Sequence, residues 1–302
     1  MAENFAETHR NVKFSNNVEA TLRQEPGVIY TLAGTSDNYT GNKKARITNR
    51  FGRVKMVERT TRNADTNNTD VDSLARFIAP GKLADVAPIL DEDDTEVTEV
   101  ELGSALVNEV ASAASTYHDD MASRGFFGNG WTGENGDIAV PFKSSNILVH
   151  GGVGITKNKL IALRALIKTR HVNFQREKPI IMVTPDDETA LLGIEEYVNT
   201  RYGEGTPLAD GELKPWMGFR FMPFTPDAES LPTSWQNWFT DGGITRNLPV
   251  IVPSGFHRGI WREFKGSIDE RADKSHSTQF WGSARSACVR TDEDKAFIIQ
   301  TR

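Results

Sequence analysis

Residues 91–125 read DEDDTEVTEVELGSALVNEVASAASTYHDDMASRG. Val100, Gly103, Val107, Val110, Ala114, Tyr117 and Met121 recur alternately three and four residues apart. That spacing lays one apolar stripe along a helix of about 25 residues, roughly 37 Å long. The acids at its start oppose the helix dipole favourably, and Asp94 or Thr95 supplies a side-chain cap. Gly125 is the expected C-cap. A helix this long exceeds the ordinary globular length, and its stripe of Val, Ala and Gly suits close packing on a sheet. It is read as a spine.

Upstream, residues 43–90 form an expected hairpin. Lys43, Lys44, Arg46, Arg50, Arg53, Lys55, Arg59 and Arg62 accompany a single acid, Glu58. Arg53 to Arg59 alternates with a period of two, the pattern of a strand. Residues 63–72 are rich in Asn, Asp and Thr, which is turn chemistry. Leu74 to Leu90 is an apolar return with Pro80 and Pro88. A hairpin with so little apolar surface must lean on something else. From Asp85 to Glu101 the charge reverses, with Asp85, Asp91, Glu92, Asp93, Asp94, Glu96, Glu99 and Glu101 and no base. Opposite runs in one chain invite head-to-tail pairing between copies; from charge alone two solvated faces are the favoured reading, because exposed pairs contribute little each.

Residues 1–42 read as an arm. Phe5, Val12, Phe14, Val18 and Leu22 are its anchors, with a short helix over Val12 to Leu22 ended by Pro26-Gly27. Past the spine, a glycine-punctuated loop around Trp131 leads into an α/β region. Thr156 caps a helix carrying Leu160, Leu163 and Ile167 to about Arg170. Ile180 to Thr184 is a buried strand, and Pro185-Asp186 opens a second helix with Leu191 and Leu192. Residues 199–215 are a loop; Phe219 to Phe224 and Val250 to Val252 are strands. The tail reads as short strands separated by turns: Gly259-Ile260-Trp261, Gly266-Ser267-Ile268, Phe280-Trp281-Gly282 and Ala296 to Ile299.

Composition narrows the classes. The chain has 302 residues, 38% hydrophobic and 25% charged, with one cysteine and a formal charge of -6; mean hydropathy is -0.46. No apolar run reaches membrane-spanning length, no secretory signal opens the chain, and no membrane contact is expected. The lone Cys288 allows neither an internal disulfide nor a thiolate metal cluster. A net acidic chain is not a whole-surface nucleic-acid binder.

Catalytic patterns are absent from the sequence. Gly151-Gly152-Val153-Gly154-Ile155-Thr156-Lys157 fails the P-loop pattern, because Thr156 stands where glycine must precede the lysine, and it fails the dinucleotide pattern at Lys157. It is read as a joint before a helix. Asp91 to Asp94 lacks calcium-loop spacing. The six histidines show no metal-ligand spacing. No serine sits in a nucleophile elbow, and Cys288 is read as a small strand residue. Trp261, Phe264, Phe280 and Trp281 are read as core. No catalytic residue, cofactor or metal site is expected.

The order of these parts resembles the Hong Kong 97-type major capsid fold of tailed bacteriophages. Phe14-Ser15-Asn16-Asn17-Val18-Glu19, Val183-Thr184-Pro185 with Leu191-Leu192, and Gly218-Phe219-Arg220-Phe221 resemble one branch of these proteins. So do Gly255-Phe256-His257-Arg258-Gly259-Ile260-Trp261-Arg262, Ile268-Asp269-Glu270-Arg271-Ala272-Asp273-Lys274-Ser275 with Thr278-Gln279, and Arg290-Thr291-Asp292-Glu293-Asp294-Lys295. The resemblance implies an α+β fold: an N-arm (1–42), an E-loop (43–90), a P-domain with the spine helix (91–155), an A-domain (156–252) and returning P-domain strands (253–302). It implies a non-enzymatic virion protein, assembled in the host cytoplasm into the hexamers and pentamers of an icosahedral head around double-stranded DNA, without sequence-specific binding. An encapsulin-like compartment shell shares that fold. The chain lacks a long charged N-terminal segment of the built-in scaffold type, so the resemblance implies a separate scaffold protein or a processed chain; a separate scaffold and a portal are expected partners, with room for a decoration protein. Arg50, Arg53, Lys55 and Arg59 of one copy are expected to meet Glu92, Asp93, Asp94 and Glu96 of a neighbour.

Overall fold

A computed structural model describes residues 28–51, 54–58, 61–62, 73–90, 102–198, 213–224 and 238–302. Its elements are a short helix α1 (Val28–Thr31), strands β1 (Thr35–Asn38), β2 (Ala45–Phe51), β3 (Ser73–Ile78), β4 (Ala84–Val86) and β5 (Ile89–Leu90), then the spine helix α2 (Leu102–Phe127). There follow β6 (Gly130–Thr132), β7 (Ile138–Val140), β8 (Ile147–Leu148), α3 (Lys157–Thr169), β9 (Ile180–Val183), α4 (Pro185–Leu192) and α5 (Glu195–Val198). The chain ends with β10 (Arg220–Pro223), β11 (Phe239–Thr240), β12 (Thr245–Ile251), β13 (Phe256–Arg271), β14 (Ser277–Arg290) and β15 (Ala296–Thr301).

Three sheets form among the described residues. One runs β1-β13-β14-β4, with β5 also paired to β14; the second runs β10-β9-β12-β15-β8, with β11 on β12; the third is β2-β3-β6-β7. The second sheet is buried on both faces, and its sequence says why. In β9 every residue is buried. Ile181 and Val183 pack with Leu160, Leu163 and Ile167 of α3, while Ile180 and Met182 pack with Ala122 and Phe126 of the spine. β15 alternates the same way, Phe297 and Ile299 to one side and Ala296 and Ile298 to the other. A continuous apolar run is what a strand covered on both faces requires, each side chain contributing about 1.5–3 kcal/mol by burial. Thr156 caps α3, its side chain accepting from Lys159 N. Pro185 stands in the first turn of α4, where its missing N–H costs nothing.

Several expectations change. The strand expected over Arg53 to Arg59 lies earlier, at β2, where Ala45 and Ile47 pack against Ile78, Trp261 and Val289. Residues 54–58 are outside any strand, and Val54, Met56 and Val57 stand 60%, 103% and 67% exposed. The tail's separate short strands are one hairpin, β13 with β14, paired from Phe256↔Arg290 to Arg271↔Ser277 with two irregularities. Phe264 is exposed, whereas Trp261 and Phe280 are buried. β15 joins the α/β sheet, although it follows the return strands in sequence. The expected arm helix at Val12 to Leu22, the caps Asp94 and Thr95 and most of the loop at 199–215 lie outside the described residues.

Gly125 does not end the spine; the helix continues to Phe127. A Cβ at Gly125 would overlap the carbonyl of Cys288 on β14. The glycine lets helix backbone rest on strand backbone. Gly125→Ala should therefore cost about 3 kcal/mol through overpacking, with the fold retained. A denaturant midpoint for the unassembled chain measures it, and a loss within error of zero would contradict the contact.

Candidate assembly interface and the latch behind it

The spine helix ends with carbonyls that no further turn can satisfy. Arg290, at the end of β14, is 0% exposed and donates from Nη1 to the carbonyls of Phe126 and Gly128. A cation there also meets the negative end of the helix dipole. Its guanidinium carbon lies 5.0 Å from the Phe142 ring centroid, and its Nε donates to Glu293 Oε2 at 2.8 Å. The second oxygen of Glu293 sits 3.8 Å from Arg76 on β3, which links the basic hairpin to the same knot.

The rest of Arg290 to Lys295 completes this knot. Asp292 accepts from Asp294 N at 3.0 Å and holds the turn. Asp294 accepts from Lys143 Nζ at 2.7 Å and lies 3.7 Å from Arg170 at the end of α3. Lys295 reaches Ser254, whose hydroxyl donates to Glu177 at 2.5 Å. The six residues from Arg290, the last of β14, to Lys295, just before β15, thus bind the spine, the basic hairpin and the α/β unit together.

A second set of buried polar groups fastens the arm. Asp119, on the spine, accepts from Val28 N at 3.1 Å and Tyr30 N at 2.9 Å, at the opening of α1. His118 has Nδ1 2.7 Å from Ser286 Oγ and Nε2 2.7 Å from the Glu263 carbonyl, and it stacks on Tyr30. His257, on β13, has Nδ1 2.7 Å from Thr35 Oγ1 and Nε2 3.0 Å from Tyr39 OH. Burial lowers the pKa of both histidines, which favours their neutral form. Burial also raises the Cys288 thiol, so this cysteine is held as an unreactive thiol.

The expected contact residues divide. Lys55 is exposed, on the segment that presents Val54, Met56 and Val57. Arg50 lies in β2, paired with Leu74. Arg53, Arg59, Glu92, Asp93, Asp94 and Glu96 lie outside the described residues. The latch residues Asp119, His118 and Arg290 were not singled out individually from the sequence. Their signal is present: His118-Asp119-Asp120 interrupts the run of apolar, small and hydroxyl residues from Val110 to Ser123, and such groups are retained inside only when partnered. Among the described residues no cluster of three or more His, Cys, Asp or Glu is placed to hold a metal ion.

A family model described as phage capsid protein matches residues 6–302. The chain belongs to the phage capsid protein family. Solved structures agree on the fold. The capsid of cyanophage P-SCSP1u is 12% identical with a TM-score of 0.72, over 96% of this chain and 92% of that one. The capsid of cyanophage Pam1 is 11% identical with a TM-score of 0.70, over 100% and 99%. Mycobacterium phage Che8 gives 12% identity and a TM-score of 0.69, over 95% and 96%. No curated protein sequence matches the chain significantly. The α+β architecture is that of Hong Kong 97-type capsid proteins, and the chain is a phage major capsid protein; the family match does not favour an encapsulin.

Arg290→Met should destabilise this capsid protein by about 3 kcal/mol, because it strands Glu293 and uncaps the spine. The double variant Arg290→Met/Glu293→Leu should recover part of that loss. Denaturant unfolding of the four proteins of this cycle checks it; additive losses would contradict the latch.

Proposed function

We propose that this capsid protein assembles into hexamers and pentamers that close an icosahedral head around double-stranded DNA, enclosing the DNA without sequence-specific binding. Its work is structural, and no catalytic step is assigned to it. In this reading it resides in the virion after assembly in the host cytoplasm, with a separate scaffold and a portal as partners and a decoration protein as an addition some heads carry. The segments serve as N-arm (1–42), E-loop (43–90), P-domain (91–155 and 253–302) and A-domain (156–252), with β15 completing the A-domain sheet.

One observation carries the proposal. Residues 54–58 present Val54, Lys55, Met56 and Val57 to solvent on a hairpin that has no core of its own. Exposed apolar side chains grouped on one projecting segment mark an interaction surface. A shell subunit covers such a surface with the next copy, in heterologous contacts that close. The acids Glu92, Asp93, Asp94 and Glu96, which precede the spine in sequence, are the proposed receivers for Arg50, Arg53, Lys55 and Arg59.

Charge reversal of the four basic residues to Glu should abolish shell formation at low salt while leaving the monomer folded. Light scattering during assembly, beside circular dichroism of the unassembled chain, reads both. Normal assembly of the reversed protein in both low and high salt would sink the proposed pairing. Truncation of Met56 to Ala should slow assembly further through lost burial, by about 1–2 kcal/mol per contact.

A further inference from the structure

The A-domain carries a charge separation that the E-loop reading leaves unused. Residues 157–178 hold seven Lys or Arg and one acid; residues 185–212 hold eight acids and one base. In the fold the last residues of the basic run and the first residues of the acidic run lie at opposite ends of one short strand. β9 begins just after Lys178 and ends just before α4 opens at Pro185-Asp186. Lys168, Arg176 and Lys178 are exposed at one end, and Asp186 and Glu195 are exposed at the other with Glu188 half-buried.

Much of the charge is tied up within the copy. Lys157 bonds Glu196 at 2.5 Å, Lys159 donates to the Val153 and Gln300 carbonyls, Arg164 donates to the Met217 carbonyl, and Arg246 holds the buried Asp187 and reaches Asp186. Lys168, Arg176 and Lys178 remain turned to solvent. From Lys157 to Lys168 the helix rises about 16 Å, beyond a Debye length of about 8 Å at physiological salt. The two ends therefore act on their surroundings as separate poles. Between them α3 exposes Ile161, 46% exposed, with Ala162 and Ala165: a flat, acid-free face suited to close approach.

We infer that the basic pole of one A-domain, at Lys168, Arg176 and Lys178, packs against the acidic pole of the next copy, at Asp186, Glu188 and Glu195. The partner is a second copy of this chain. A two-fold contact through either pole would set like charges together, which costs free energy; a head-to-tail contact sets opposite charges together. Head-to-tail contacts build rings, and two-fold contacts stop at dimers. The polarity thus disfavours a two-fold contact through a single pole and suits a head-to-tail one. Each exposed pair contributes little, so the effect lies in orientation and encounter rate more than in affinity. This inference rests on the reading of the chain as a ring-forming shell subunit.

A charge swap tests it on the full chain. One variant carries Lys168→Glu, Arg176→Glu and Lys178→Glu; a second carries Glu188→Lys and Glu195→Lys. Each alone should assemble roughly tenfold more slowly than the unaltered protein at low salt, with an unchanged thermal melt as monomer. Mixed in equal amounts they should recover rings and sheets, seen by negative-stain microscopy and sedimentation, because each altered pole then meets its complement. Wild-type rates for both variants would overturn the inference and leave the shell reading standing. Loss in each without recovery in the mixture would also overturn it. A first variant that assembles normally but loses salt-sensitive retention of a short DNA duplex would assign the basic pole to nucleic acid instead. A monomeric wild type with a monomeric mixture would contradict both readings.

Discussion

The buried guanidinium of Arg290 is the constraint on which the rest of this subunit depends. It closes the carbonyl end of the spine helix, pairs with Glu293, and through Glu293 approaches Arg76 of the β2–β3 sheet. A buried charge pair of this kind is a poor source of net stability compared with apolar side chains of equal volume. Its return is geometric. The β2–β3 sheet, the spine and the α/β sheet meet at this segment; the spine shares one core with the α/β sheet, but apolar packing is non-directional and does not by itself set their relative placement. Directional bonds from one six-residue segment fix it, which a subunit that must tile a closed surface needs.

The α/β unit was legible in the sequence because its signals are local. Thr156, Leu160, Leu163 and Ile167 announce a capped amphipathic helix, and Ile180 to Val183 announces a strand buried on both faces; both stand where expected. The β13–β14 hairpin was legible only in pieces. Gly259, Gly266 and Gly282 punctuate it, and glycine ordinarily signals a turn. Here a Cβ at Gly259 would press on Ile78, Trp261 and Tyr39, and one at Gly282 on Val110 and Phe264. These glycines, like Gly125, are sites of close approach between elements far apart in sequence. One residue type serves turns and close contacts alike, and only tertiary structure separates the uses. The arm clamp was hidden for a related reason: Asp119 bonds residues 28 and 30, and no local pattern reports a partner so distant.

The basic hairpin was legible as charge and composition but not as register. Its period-two stretch at Arg53 to Arg59 reads as a strand by alternation alone, yet the strand that forms is β2, whose Ala45 and Ile47 find apolar neighbours in the same copy. Val54, Met56 and Val57 find none among the described residues and stay in solvent. Alternation states which side chains can be buried together and leaves open whether the burying surface belongs to the same molecule. In a capsid protein that distinction separates folding from assembly.

The most direct measurement is negative-stain electron microscopy of the purified full chain, run beside size-exclusion chromatography, alone and with a co-expressed scaffold protein. The account predicts closed shells, capsomer rings or sheets eluting ahead of a minor monomer. A stable, monodisperse monomer or small dimer under both conditions would contradict it.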